Sequence, residues 1–219
     1  MRQGRFIAFE GPEGCGKSTH LPLLADFLRE RGIEVVTTRE PGGTALAERI
    51  REMLQTIHAE PPVPAAEVLL FLASRAQHVE KVIRPALARG AWVLTDRFED
   101  STFAYQGAGR GFDQETLRRL NRFATAGCSP DLVLLLDIPR DAGRVRLRAR
   151  QAATVTEADR FEREAESFHE NLRKGFLALA HEVPERYEII RTDQPRETVA
   201  QMIRSAVTAH FQEVSDAAG

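Results

Sequence analysis

The stretch Gly11-Pro12-Glu13-Gly14-Cys15-Gly16-Lys17-Ser18 matches the spacing G-x-x-x-x-G-K-[ST] at every fixed position. That pattern has a specific chemistry. Backbone N–H groups converge on phosphate oxygens, glycines let the chain come close, Lys17 reaches the outer phosphates and the Ser18 hydroxyl ligates Mg²⁺. Thr19 is counted with the same turn. An apolar run at Phe6 to Phe9 precedes it as a buried strand, and Leu21, Leu24, Phe27 and Leu28 follow as one side of a helix. The competing reading, a glycine-rich strand-to-helix turn with a solvated lysine, is disfavoured by these flanks.

Ligands of an open α/β sheet sit beyond the carboxyl ends of its strands. The residues there are Glu10, Arg39, Glu40, Asp96, Arg97, Asp137, Thr192 and Asp193. Carboxylates in such places suit Mg²⁺ and water, and arginines suit phosphate oxygens. Asp96 could hold Mg²⁺ directly or through water, and Arg97 could clamp an acceptor phosphate. If the acceptor is itself a phosphate, its oxygen is already anionic and no general base is required. The six histidines are scattered and read as surface or helix-packing residues.

The elements that must position these groups follow from periodicity. A second strand is expected at Ile33 to Thr38 and helices at Ala45 to Thr56 and Ala65 to Arg89, the latter bent near Pro85. A strand at Ala91 to Thr95 delivers Asp96-Arg97. Phe98 to Phe112 reads as a helix followed by a loop, and Asp113 caps a helix to about Ala126. The unbroken apolar run Leu132 to Leu136 suits a central parallel strand. An arginine-rich helix starts at Asp141 and breaks at Gln151 to Asp159. A long helix resumes to about Glu182 with Phe161, Phe168, Leu172 and Phe176 inward, followed by a strand at Tyr187 to Arg191 and a helix from Pro195 to Phe211. This alternation predicts an α/β fold, a parallel sheet with helices on both faces.

The 219 residues, 42% hydrophobic, are read as one domain, 1–219, with a lid at about 147–160. A net charge of −2 provides no global field for a nucleic-acid polymer or an anionic membrane. Two cysteines leave no disulfide framework and fit a reducing compartment. There is no signal-peptide pattern and no apolar stretch near the ~20 residues of a membrane span. A cytoplasmic protein is expected.

Five segments together are distinctive: Phe9 to Ser18, Arg39 to Thr44 (REPGGT), Phe71 to Arg75 (FLASR), Asp96-Arg97-Phe98 and Ala104 to Gly107 (AYQG). In order and spacing they resemble bacterial thymidylate kinases, from the first strand to the last helix. The resemblance implies a nucleoside-monophosphate-kinase fold with five parallel strands, transfer of the ATP γ-phosphoryl group to dTMP with Mg²⁺, and a homodimer. It implies that Phe71 stacks on thymine and Arg75 hydrogen-bonds its O4, that Thr102 and Gln106 face the base, and that Tyr105 packs on the deoxyribose C2′. Arg51 and Arg97 become acceptor-phosphate ligands, and Glu10 an acid near the sugar 3′-OH and the metal. Phe71 could equally be core on its own evidence; four residues from it on a helix, Arg75 shares its face and is harder to explain as core.

Some relatives carry an arginine inside the phosphate turn, where this chain has Pro12, Glu13, Gly14 and Cys15. The missing charge is therefore assigned to the lid. Arg150, and secondarily Arg148, are expected on the transferring phosphate, with Arg146 and Asp193 on the adenine side. A solvated basic helix face is the alternative. The stretch Gln151 to Ala158 is also longer than the family pattern, which leaves the register of these arginines open.

Overall fold

Every apolar run read as a strand pairs in parallel with a neighbour. The structure, a computed structural model, describes residues 3–56, 60–154, 160–161, 164–211 and 214, the side chains of 150–154 excepted. Its strands are β1 (Phe6–Glu10), β2 (Val35–Arg39), β3 (Trp92–Asp96), β4 (Leu132–Asp137) and β5 (Tyr187–Arg191), in the spatial order β2-β3-β1-β4-β5. Because all run the same way, all their carboxyl ends lie along one edge of the sheet. The connection from β1 goes to the sheet edge while β3 and β4 flank β1 on either side, and a crevice opens at such a point.

Side chains alternate across the sheet, and each set has its own helical layer. Phe6, Ala8, Val93, Val133 and Leu135 face one apolar layer. It includes residues of α3 (Pro64–His78), α6 (Gln114–Thr125) and α8 (Glu166–Glu182). Ile7, Phe9, Leu94, Leu134 and Leu136 face the other, built on α1 (Lys17–Arg29) and α9 (Arg196–His210). β1 is buried along its whole length. Each of its large apolar side chains contributes about 1.5–3 kcal/mol of transfer free energy, and this fixes the phosphate turn at its end.

Several boundaries differ from expectation. Ile33 caps α1, its N–H reaching the Leu28 carbonyl at 3.2 Å, and β2 starts at Val35. The helix expected to bend at Pro85 changes register instead. After α3 the chain makes a π turn, Val79–Ile83, and continues as α4 (Arg84–Ala88), the π turn lying just ahead of the proline that lacks an N–H donor. Likewise α5 (Glu99–Thr102) runs into a second π segment, Phe103–Gly109, before the loop. α2 (Ala45–Gln55) is capped by the Thr44 hydroxyl, which accepts from the Ala47 N–H.

The largest difference lies around the expected lid. α7 (Arg140–Thr154) continues past Gln151, so the arginine-rich helix is longer than predicted. α8 begins only at Glu166, and Phe161 lies in a separate turn. Residues 155–159, expected in the lid, lie outside the described residues.

Candidate active site

A cleft of about 740 Å³ opens at the carboxyl edge of the sheet. The phosphate turn, α2, α3, the start of α5 and α7 surround it. Its turn is sterically built for close approach: Gly14 has φ +75°, and a Cβ there would lie 2.5 Å from the Gly143 carbonyl oxygen of α7. Lys17 Nζ donates to the carbonyls of Gly11 (3.0 Å) and Pro12 (3.1 Å), which holds the ammonium inside the turn. Gly14, Gly16, Lys17, Ser18 and Thr19 line the cleft. Gly11, Pro12 and Cys15 do not, and instead form the back of the turn.

Opposite the turn, Arg97 sits in the left-handed region at φ 71°. That conformation costs a non-glycine residue about 1–3 kcal/mol and persists only where surroundings impose it. Here the Arg97 N–H donates to Phe9 O (2.9 Å), and the guanidinium donates to Gly11 O (3.2 Å), Ser101 Oγ (3.1 Å) and Glu13 Oε1 (3.1 Å). The Tyr105 hydroxyl also donates to Glu13. Burial pushes the Glu13 carboxyl up, but the charges of Arg97 and Lys17 more than offset this and hold it below the usual range. Burial raises the Tyr105 phenol well above its usual value, so the hydroxyl stays a donor. Asp96 and Arg51 line the same wall, Arg51 donating to Pro41 O at 2.9 Å. Among the described residues Asp96 Oδ1 is buried with no hydrogen-bond partner.

The α3 side is a closed polar floor under an aromatic wall. Arg75 is buried and gives four hydrogen bonds to protein: Nε to Glu40 Oε2 (2.7 Å), Nη1 to Thr102 Oγ1 (2.8 Å) and Asn121 Oδ1 (2.5 Å), and Nη2 to Phe98 O (2.9 Å). Of its five N–H donors, this leaves one on Nη2. Glu40 is shared with His78 Nδ1 (3.0 Å), whose Nε2 meets Thr38 Oγ1 (2.7 Å). His78 is thus a working part of the floor, more than the helix-packing residue expected. Phe71 projects above Arg75, its ring centroid 5.9 Å from that of Phe161, and Phe161 meets Tyr105 edge-on at 5.8 Å.

Below Phe71 lies Glu67, fully buried and bound to Gln106 Nε2 (2.9 Å), Arg110 Nε (2.8 Å) and Arg160 Nη2 (2.5 Å). Burial raises its carboxyl, and the hydrogen bonds and charges of these partners more than reverse that, so it is held ionised. Arg160 also donates to Leu54 O (3.1 Å), so the turn holding Arg160 and Phe161 is fastened to both α2 and α3.

Several expected site residues fall elsewhere. Glu10 is fully buried and does not line the cleft; its carboxylate accepts from Phe98 N (2.7 Å), Ser101 N (3.2 Å) and Ser101 Oγ (2.6 Å). Both oxygens are engaged by the start of α5, so Glu10 is not placed where a metal ligand or sugar contact was expected; among the described residues Glu13, Glu40 and Asp96 are the carboxylates that line the cleft. Asp193 is held by Arg191 (3.2 and 2.6 Å) outside the cleft, and Thr192, Gln194 and Arg196 line that end in its place. Arg146 lines the cleft and donates to Thr192 O at 2.6 Å. Arg148 is exposed and outside the lining, because two residues along a helix point to different sides. The Arg150 side chain lies outside the described residues. Thr102, Tyr105 and Gln106 line the cleft. Sequence reasoning missed Glu67, Arg110, Arg160 and the placement of Phe161. The only available signal for Glu67 was its spacing of four from Phe71 and eight from Arg75 on one helix face.

A family model described as thymidylate kinase matches residues 9–203. The chain is 52% identical over 209 residues to a thymidylate kinase of Desulfovibrio desulfuricans, covering 94% of this chain and 96% of that protein. It is 49% identical over 214 residues to one from Chromohalobacter salexigens, covering 97% of each. Among solved structures, the thymidylate kinase of Ehrlichia chaffeensis matches with a TM-score of 0.75 and 31% identity, over 94% of this chain and 99% of that one. With the phosphate turn, the strand-end arginine and the aromatic-covered polar floor in one cleft, the chain belongs to the thymidylate kinase family.

Proposed function

We propose that ATP binds against the phosphate turn, that dTMP binds against α3, and that the γ-phosphoryl group passes directly between them. The observation that carries this reading is the closeness of the two half-sites: Lys17 and Arg97 both donate to the Gly11 carbonyl, at 3.0 and 3.2 Å. An oxygen of the dTMP phosphate bonds to the γ-phosphorus while the bond from that phosphorus to the β,γ-bridging oxygen breaks. ADP and dTDP result, and no proton has to be removed from the acceptor. Catalysis then consists of alignment and charge neutralisation.

On this reading Lys17 and the turn N–H groups hold the donor phosphates, and Arg97 and Arg51 hold the acceptor phosphate. The Arg75 Nη2 hydrogen reaches the base O4, Phe71 stacks on the ring, and Tyr105 fills the space at C2′. Arg146 lies toward the adenine, and Arg150 is retained as the lid cation for the transferring phosphate. Asp96 Oδ1, buried and without a hydrogen-bond partner among the described residues, lines the same cleft as Ser18 and fits a Mg²⁺ site. Mg²⁺ held there by Ser18 and Asp96 would neutralise donor phosphate charge when bound.

The chain is read as one catalytic unit with a lid at 147–160, a reading supported by the reach of Arg160 and Phe161 onto α2 and α3. A homodimer is supported by large exposed apolar side chains on neighbouring helices, Leu46 and Met53 on α2 and Leu69 on α3. Sedimentation should then give twice the 24.5 kDa chain mass. The nucleotide substrates fit a cytoplasmic location. No described helix is long and apolar enough to cross a membrane.

A kinase for another nucleoside monophosphate, or for a deoxynucleoside, is the alternative. A hydroxyl acceptor needs a base, and the strand-end carboxylates Glu10 and Glu40 are engaged by α5 and by Arg75 and His78. Comparing dTMP, dUMP, dCMP and thymidine as acceptors, by ADP formation, tests the reading. dTMP should give the highest kcat/KM, and preference for thymidine would overturn it.

A further inference from the structure

Glu67 makes no direct approach to the cleft, yet it controls a group that does. Its Oε1 accepts from Gln106 Nε2 at 2.9 Å and from Arg110 Nε at 2.8 Å, and its Oε2 from Arg110 Nη2 at 3.1 Å and Arg160 Nη2 at 2.5 Å. An ionised carboxylate has only acceptors to offer. A glutamine amide beside it must turn its NH₂ toward it, and the amide oxygen must point away. Gln106 lines the cleft, and its Oε1 takes no hydrogen bond among the described residues. The floor therefore offers a donor, the remaining Nη2 hydrogen of Arg75, and an acceptor, Gln106 Oε1.

That pair matches a pyrimidine carrying a 4-oxo group and an N3–H. A 4-amino pyrimidine has the opposite pattern, a donor at position 4 and an acceptor at N3. A flipped Gln106 would present NH₂ to the cleft and remove half of the discrimination.

We propose that Glu67 is a positioning residue for base selection. By holding the Gln106 amide in one of its two orientations, it sets the acceptor site for a 4-oxo pyrimidine and against a 4-amino one. The inference rests on the reading that this cleft takes dTMP. Its rival is that Glu67 only fastens the turn carrying Arg160. The two differ in what they do to selectivity, because loosening that turn affects every acceptor alike, whereas freeing the amide affects the two bases in opposite directions.

The test is the ratio of kcat/KM for dTMP to that for dCMP. In wild type it should strongly favour dTMP; failure of that alone would refute the parent reading. In Glu67→Gln the new amide can donate to Gln106 Oε1, the flip is released, and the ratio should fall at least tenfold. Arg160→Ala, which leaves the Glu67 to Gln106 bond, should lower both values with the ratio unchanged. Gln106→Leu should collapse the ratio alone, and adding Glu67→Gln should change it no further, because both act through one group. A ratio within about twofold of wild type in Glu67→Gln, collapse in Arg160→Ala, or multiplicative effects in the double variant would each overturn the proposal. A wild-type measurement covers failure of Glu67→Gln to fold. The Gln106 side-chain NH₂ signal, assigned by its loss in Gln106→Leu, should be protected from hydrogen exchange both without and with dTMP. Protection only after dTMP binds would contradict it.

Discussion

On the α3 side of the cleft, the Arg75 side chain is 1% exposed and its partner Glu40 3%, and four donors are satisfied by the protein. On the α7 side, Arg144 is 46% exposed and paired with a Glu166 that is 70% exposed, while Arg146 rests on a single backbone carbonyl. Folding itself orders the first group. The second is held by a solvent-screened surface pair and a single carbonyl contact, which hold it far more weakly. On the proposed reading, base recognition is preorganised and the lid charge for phosphoryl transfer is gathered when the donor binds.

Loss of a donor-side charge that acts in the transition state should show in kcat and spare acceptor binding. Lys17→Met should reduce kcat by about 10²–10³ or more, with dTMP affinity by calorimetry nearly unchanged. Unchanged turnover would remove Lys17 from the scheme. Loss of an acceptor-side charge should show first in stability. Arg75→Ala leaves the buried Glu40 with His78 alone and should cost about 3–5 kcal/mol in urea unfolding, whereas Arg146→Ala should stay within about 0.5 kcal/mol of wild type. Equal losses would erase the contrast between the halves.

Within the lid helix, Arg150→Ala should lower kcat more than about tenfold and Arg144→Ala less than about twofold, since Arg144 is tied to Glu166 on the surface. Equal effects would mean the register of the transferring cation is wrong.

The last expected effect, on pH dependence, concerns the buried acids behind Arg97. Burial, together with the charge of Asp100, raises Glu10 from 4.5 to about 7, and burial likewise raises Asp100 from 3.8 to about 6. The folded state thus keeps protons that the unfolded chain releases. Their contribution is fully present below the unfolded values and is lost as pH rises to the folded ones, so stability should decline between about pH 4 and 7 and level off above. Glu10→Gln should flatten the decline; an unaltered slope would locate it elsewhere.

How legible each part was in the sequence follows from the range of the interactions that form it. The strands are written in local periodicity and the phosphate turn in a fixed motif, while the Phe71 and Arg75 pair was singled out by the family resemblance, with helical spacing placing both on one face. The floor is not local: Glu67 meets Gln106, Arg110 and Arg160 at separations of 39, 43 and 93 residues. Alone, it reads as an acid in the first turn of a helix. Phe161 fits the helical spacing of Phe168 and Leu172, so periodicity assigned it to the wrong element. The π segments escaped because a local change of hydrogen-bond register leaves no apolar period behind. Glu10 was misplaced because position at a strand end does not say which way a side chain turns.

A crystal structure of the wild-type chain with dTMP, compared with one holding dTMP, Mg²⁺ and a non-hydrolysable ATP analogue, tests the division most directly. Arg75, Glu40, Gln106 and Glu67 should superpose within about 1 Å between the two, with an arginine of α7 reaching the donor phosphates only in the second. Rearrangement of the floor on donor binding, or α7 arginines already seated without the donor, would contradict it.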